Sequence, residues 1–135
     1  MPLDTITLDR SAPAPAARAQ AETPVEFALQ VLGGKWKPLI VYHLNGNGLL
    51  RFGELGRLMP GITQKMLTQQ LRDLEADGLV LRQVYAQVPP KVEYSLTELG
   101  LSAKPVLEQL CAFGRRVAQA TGVRLGSCTP EISQG

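Results

Sequence analysis

A chain of 135 residues is long enough to bury one hydrophobic core but short for two. Its hydrophobic fraction of 44% and charged fraction of 19% are typical of a globular domain, and a formal net charge of +2 indicates no class of partner by itself. No apolar run approaches the about 20 residues of a membrane span, and the N-terminal segment lacks the continuous apolar stretch of a secretory signal. Two cysteines without a Cys-x-x-Cys spacing are too few for a disulfide scaffold. We therefore expect a reduced, cytoplasmic protein without a membrane segment.

The first half of the chain has the pattern of short helices. Segment 1–22 is rich in Ala and Pro without hydrophobic periodicity, and it is predicted to be a disordered N-terminal tail. Folded sequence begins at Thr23 and Pro24, which suit a helix N-cap and a first helical position. Glycines and prolines then divide the chain into a helix ending at Gly33-Gly34, a helix from about Trp36 to Leu44, an extended piece at 49–51 and a helix from Phe52 to Met59.

The next segment has the pattern of a helix-turn-helix. A short turn, Pro60–Thr63, leads into a helix predicted from Gln64 to Asp77, with Thr63 as N-cap and Gly78 as its stop. Leucines at i, i+4 and i+7 (67, 71 and 74) predict which side of this helix is buried. The opposite side, called here the reading face, carries Gln64, Lys65, Thr68, Gln69 and Arg72.

After Gly78 the period of the pattern changes to two, which predicts a β-hairpin. Its strands are Val80–Ala86 and Val92–Leu96, and its tip, called here the wing loop (Gln87–Lys91), is stiffened by two prolines. Thr97 is expected to cap a last long helix, bent at Pro105. The apolar stripe of that helix consists of Ala103, Val106, Leu107, Leu110, Phe113 and Val117.

This order of elements predicts a mainly α fold with a small β-hairpin. We expect a winged helix-turn-helix domain at 23–121, with extra N- and C-terminal dimerisation helices, and a flexible tail at 122–135. Because the last helix has more apolar surface than so small a domain needs, a homodimer is expected. Its candidate interface residues are Phe27, Val31, Val106, Leu107, Leu110, Phe113 and Val117.

The reading face has the chemistry of a double-stranded DNA reader. Gln can pair with adenine, Lys and Arg can reach guanine or phosphate, and the Thr methyl can contact thymine. The stretch Lys35–Arg72 carries six basic residues and one acidic residue, a local charge of +5. On charge alone, a solvated helix surface is the favoured interpretation of this stretch. Agreement of the turn, the reading face and the stiff wing loop favours DNA binding over the alternative, a winged-helix protein–protein interaction module. The candidate DNA-binding residues are Lys35, Arg51, Thr63, Gln64, Lys65, Thr68, Gln69, Arg72 and Lys91.

Several strings resemble the HxlR-type transcriptional regulators. They are Leu32–Lys37, Leu50–Leu55, Pro60–Val80, Val88–Thr97 and Pro105–Leu107. The resemblance covers roughly residues 23 to 115. It implies a homodimeric winged-helix repressor or activator that binds near promoters, with the terminal helical regions forming the dimer. We expect an inverted-repeat operator, with helix 64–77 in the major groove and the wing loop on the backbone or minor groove. A small-molecule effector is also expected, of a kind that the sequence does not identify.

One position departs from the pattern of many such regulators. Relatives that sense electrophiles or oxidants place a cysteine directly before the Pro-Val-Glu of the first helix, where this chain has Thr23. A threonine has no thiolate, so sensing at this position is not expected. Cys111 lies beside the apolar stripe and is interpreted as a small core or interface side chain, and Cys128 falls in the predicted tail.

The residues of a catalytic or metal centre are not found in the sequence. His43 is the only histidine and falls with Trp36 and Ile40 on the predicted buried stripe of its helix. A lone core histidine supplies neither a Ser/His/Asp set nor a typical metal site, and no phosphate-binding loop motif is present. We therefore expect neither an enzyme nor a cofactor.

Overall fold

A computed structural model describes residues 20–126 of the chain. Most of the two predicted tails, 1–22 and 122–135, lies outside the described residues. The described part combines helices with one small antiparallel sheet, as expected. Its elements in chain order are α1 (Pro24–Leu32), α2 (Trp36–Asn47), β1 (Leu49–Arg51), α3 (Phe52–Leu58), α4 (Gln64–Ala76), β2 (Val80–Tyr85), β3 (Lys91–Leu96), α5 (Glu98–Leu101) and α6 (Lys104–Thr121).

The sheet has three strands in the order β1-β3-β2, all antiparallel. The predicted hairpin supplies β2 and β3, with Val80 opposite Leu96 and Tyr85 opposite Lys91. The extended piece 49–51 becomes β1 and pairs with the outer side of β3, Leu50 facing Tyr94. Because β1 leads directly into α3, this pairing anchors the base of the wing to the helix-turn-helix.

The core lies between α2, α3, α4 and the sheet. On α4 the three leucines 67, 71 and 74 are at most 2% exposed, as their spacing predicts. Burying three leucines of one helix fixes the rotation of α4 about its axis and turns the reading face outward. The largest fully buried side chains are Ile40, Val41, Leu44, Leu50, Leu55, Met59, Leu67, Leu71 and Leu74.

Side-chain caps begin the helices where the sequence predicts. The Thr23 Oγ1 accepts the Glu26 backbone N–H at 3.1 Å, and the Thr63 Oγ1 accepts the Met66 N–H at 3.0 Å. Before Thr63, Gly61 has a φ of +94°, a backbone conformation that few residues other than glycine adopt. The turn and the cap together set the direction of α4 relative to α3.

Helix α2 is three residues longer than predicted. It continues through Gly46 to Asn47, whose side-chain amide donates to the His43 carbonyl at 2.9 Å. It ends only at Gly48, which has a φ of +81° and donates its N–H to the Leu44 carbonyl. A single glycine inside a helix costs about 1 kcal/mol relative to alanine, which tertiary packing can outweigh.

The single bent C-terminal helix predicted from the sequence is wrong: two helices, α5 and α6, take its place. Thr97 caps only the short α5, and α6 begins at Lys104 with Pro105 in its first turn. Proline has no N–H and its ring clashes with the carbonyl four residues earlier, so it starts a new helix here rather than bending an old one. Gly100 in α5 packs against the sheet so closely that a Cβ would overlap the Leu79 carbonyl oxygen.

Candidate nucleic-acid interface

The reading face of α4 is presented to solvent as a continuous polar surface. Its five side chains are all exposed, whereas the three leucines on the opposite side of the helix are buried. Their exposure agrees with the sequence prediction. The helix is the second of the helix-turn-helix, which is the helix that enters the major groove in proteins of this architecture.

One hydrogen-bond network on α4 was not anticipated from the sequence. The Gln69 Nε2 donates to the Asp73 Oδ1 at 3.0 Å, and the Asp73 Oδ2 lies 3.6 Å from the Lys37 Nζ. Lys37 belongs to α2, so the ion pair crosses between two helices. The i, i+4 spacing of Gln69 and Asp73 was the available signal for the first contact, but only the packing of α2 against α4 reveals the second.

The basic residue of the wing is held within the hairpin. The Lys91 Nζ lies 3.5 Å from the Glu93 Oε2 and 4.6 Å from the centroid of the Tyr85 ring. Lys91 is therefore half-buried, and it is the first residue of β3 rather than part of the loop. The side chain at the tip of the wing is Val88, which is 99% exposed.

The remaining predicted contacts, Lys35, Arg51 and Thr63, are not part of the reading face, and their surroundings differ. The Lys35 Nζ lies 4.5 Å from the centroid of the Trp36 ring, a cation–π contact that engages its charge. Arg51 is exposed at the start of α3, where its backbone N–H donates to the Glu54 Oε1 at 2.8 Å. Thr63 uses its hydroxyl oxygen as the cap of α4, which leaves the hydroxyl proton to donate elsewhere.

Apolar side chains of α1 and α6 form an exposed surface, called here the terminal apolar face. Two of the residues expected at the interface are less exposed than the others. Val31 is half-buried against the core, and Leu107, which is only 5% exposed, is part of the core. Leu107 follows the exposed Val106 by one residue, a rotation of about 100° that turns it inward. The terminal apolar face consists of Phe27, Val106, Leu110, Phe113 and Val117, between 43% and 65% exposed.

A cavity of about 430 Å³ opens beside this face, between α1, α5 and the start of α6. Phe27 and Val106 belong both to the cavity wall and to the terminal apolar face. Leu99 contributes further apolar surface to the wall, and Asp77 and Ser102 contribute polar groups. The cavity is therefore continuous with the exposed apolar surface.

The residues considered for sensing and catalysis have other surroundings. Cys111 is half-buried, accepts a hydrogen bond from the Arg115 Nη1 at 3.1 Å, and carries no free thiol, which corrects the expectation of a reduced cysteine. Cys128 lies outside the described residues.

His43, the candidate considered for catalysis or metal binding, is half-buried and packs edge-to-face against Tyr42. Within residues 20–126, no group of three or more His, Cys, Asp or Glu residues could hold a metal ion. In the same range, no helix combines the length and the apolar character needed to cross a membrane.

Comparisons with known proteins point to one family. The family model described as HxlR-like helix-turn-helix matches residues 31–121. Two uncharacterized HTH-type transcriptional regulators of Bacillus subtilis (strain 168), YtcD and YybR, are 62% and 58% identical over 90 and 91 residues. These alignments cover 67% of this chain, and 71% of YtcD and 72% of YybR.

Solved structures agree with the sequence comparisons. The redox regulator HypR in its reduced form matches with a TM-score of 0.71 and 52% identity, over 76% of this chain and 100% of that one. A crystal structure of the HTH-type transcriptional regulator ytcD matches with a TM-score of 0.68 and 56% identity, over 73% of this chain and 99% of that one. The winged helix-turn-helix expected from the sequence is thereby confirmed as the fold.

Proposed function

Because the chain belongs to the family of HxlR-like helix-turn-helix transcriptional regulators, we propose that it is a sequence-specific DNA-binding regulator that acts as a homodimer. The observation that carries the proposal is the division of α4 into two faces. Three buried leucines fix one side in the core, and five polar side chains on the other side are exposed together. A polar face of Gln, Lys, Thr and Arg suits the edges of bases and phosphates better than the surface of a protein partner.

Bases and phosphates are read by different parts of α4 and its surroundings. Gln64, Thr68 and Gln69 contact base edges, because they lie in the first two turns of the helix that enters the major groove. Cations around the helix contact phosphates, and Thr63 donates its hydroxyl proton to a phosphate oxygen. The candidates for these phosphate contacts are Lys35, Arg51, Lys65, Arg72 and, at the wing, Lys91, of which about three per protomer are expected to engage.

The homodimer forms through the terminal apolar face. Phe113, in the middle of the α6 stripe, is 65% exposed, and Phe27 of α1 is 46% exposed. Exposed aromatic and aliphatic side chains that lie next to one another favour burial against a second copy. A two-fold axis at this face sets two α4 helices about 34 Å apart, one turn of DNA, and so requires an inverted-repeat operator.

A small-molecule effector would act through the cavity beside the terminal apolar face. The cavity shares Phe27 and Val106 with the dimer interface, so a ligand there can change how the two protomers are oriented. Thr23 supplies no reactive thiol at the start of α1. We therefore favour reversible binding over covalent sensing at that position, in a protein that acts on DNA in the cytoplasm.

Selection from a random duplex library, followed by a gel shift with the selected duplex, tests the proposal. We expect an inverted repeat whose half-sites are about 10 base pairs apart, bound as a dimer and at least 10³-fold more tightly than random duplex. If the selection enriched no sequence and the protein left random DNA unbound at low salt, DNA binding would be contradicted. That result would favour the protein–protein interaction module.

A further inference from the structure

The network of Gln69, Asp73 and Lys37 has a consequence for which base α4 accepts. At neutral pH a carboxylate can only accept hydrogen bonds, so the end of the Gln69 amide that contacts the Asp73 Oδ1 at 3.0 Å must be its NH₂ group. The orientation of the amide is thus set by chemistry. The Gln69 Oε1 is directed away from Asp73, and the second N–H of the amide is not used by this contact.

Lys37 holds the carboxylate from the neighbouring helix. Its Nζ lies 3.6 Å from the Asp73 Oδ2, and the two side chains are only 11% and 22% exposed. A pair with so little contact with water is screened less than a surface ion pair. Each Asp73 oxygen therefore has its own partner, one on α2 and one on α4.

We propose that Asp73, anchored by Lys37, is a positioning residue that makes Gln69 read adenine and reject guanine. Adenine presents an acceptor, N7, and a donor, the N6 amino group, in the major groove, whereas guanine presents two acceptors, N7 and O6. An amide with a fixed Oε1 and one remaining N–H complements adenine. At guanine the same Oε1 would face O6, and two acceptors repel.

Without Asp73 the amide of Gln69 is free to turn over. Its NH₂ group can then donate toward the two acceptors of guanine, which removes the repulsion. Loss of Asp73 is therefore expected to relax the choice between the two purines rather than to abolish binding. The inference rests on the proposed function, since it requires α4 to lie in the major groove.

A double-mutant cycle with full-length protein tests the inference. The probes are the duplex selected from a random library and its single-position A·T→G·C variants, with affinity measured in a buffer of fixed ionic strength. Gln69→Ala first identifies the position that Gln69 reads. At that position we expect wild-type protein to prefer A·T over G·C by on the order of tenfold, and Asp73→Ala to reduce the preference to within about twofold.

The cycle separates positioning from general damage to the helix. In the Gln69→Ala background, Asp73→Ala should change the purine preference no further, because its target is gone. Glu108→Ala is the matched control: Glu108 is exposed on α6, away from α4, and its removal changes the net charge by the same amount. This control should raise affinity for all duplexes alike, if at all, and leave the preference intact.

The outcomes distinguish failure of base reading by Gln69 from failure of the positioning role of Asp73. If Gln69→Ala leaves every base preference unchanged, base reading by Gln69 is wrong and the inference falls with it. If Gln69→Ala removes a preference that Asp73→Ala retains, the inference alone is overturned. Should Asp73→Ala fail to fold by circular dichroism, Asp73→Leu replaces it, because leucine has a similar shape but no acceptor for the Gln69 N–H. This variant must shift the preference in the same direction, and an unchanged preference in folded Asp73→Leu also overturns the inference.

Discussion

The salt dependence of binding measures how many cations of each protomer reach phosphates. Four candidate cations, Lys35, Arg51, Lys65 and Arg72, are exposed, but the Lys35 Nζ lies over the Trp36 ring, and Lys91 is half-buried beside Glu93. If Arg51, Lys65 and Arg72 engage phosphates in both protomers, log K falls with log salt at a slope of about −5, taking about 0.9 per phosphate. Lys65→Ala removes two phosphate contacts from the dimer and should reduce the slope by about 1.8.

That change is large enough to resolve by a standard titration. Between 50 and 200 mM salt, wild-type affinity should fall by about 10³-fold and Lys65→Ala affinity by only about 10²-fold. Fluorescence anisotropy with the selected duplex gives both slopes, and Lys104→Ala, an exposed lysine at the start of α6, is the matched control with an unchanged slope. Equal slopes for Lys65→Ala and wild type would refute the placement of Lys65 against a phosphate.

Three further predictions concern stability and assembly. Leu71→Ala removes a side chain that is 2% exposed and should lower the free energy of unfolding by about 2–5 kcal/mol in a urea titration, whereas Gln70→Ala on the same helix should change it little. Phe113→Glu places a charge in the terminal apolar face and should give a monomer by light scattering at micromolar concentration; a dimer would contradict the proposed interface. Burial raises the pKa of the Tyr94 hydroxyl above 10.0 despite a hydrogen bond from Arg82. The unfolded chain therefore loses this proton at a lower pH than the folded protein does, so the free energy of unfolding should fall as pH rises past 10.0. In Tyr94→Phe, the free energy of unfolding should fall less steeply over the same pH range.

Helix α4 and its surroundings were predictable because their signals are local. The spacing of the leucines 67, 71 and 74, the cap chemistry of Thr63 and the stop at Gly78 all lie within one stretch of chain. The five residues of the reading face followed from the same periodicity, since a helix with one apolar side has its polar side opposite.

The features that sequence reasoning missed depend on contacts between distant segments or on competing local preferences. Pro105 is compatible with both a bend and a new helix, and the structure shows the new helix. Leu107 and Val106 are both apolar, so composition alone could not assign one to the core and the other to the surface. The contact of Lys91 with Tyr85 depends on the β2–β3 register, and the ion pair of Asp73 with Lys37 depends on the packing of α2 on α4.

The reading of bases by α4 is tested most directly by one affinity ratio. The triple variant Gln64→Ala, Thr68→Ala, Gln69→Ala keeps the buried leucines and the Thr63 cap, so it should remain a folded dimer. The measurement is its affinity for the selected duplex divided by its affinity for random duplex, at one salt concentration. We predict that this ratio falls at least 10²-fold from the wild-type value, since each lost base contact contributes about 1–3 kcal/mol. An unchanged ratio in a folded, dimeric protein would contradict the assignment of α4 as the helix that reads DNA sequence.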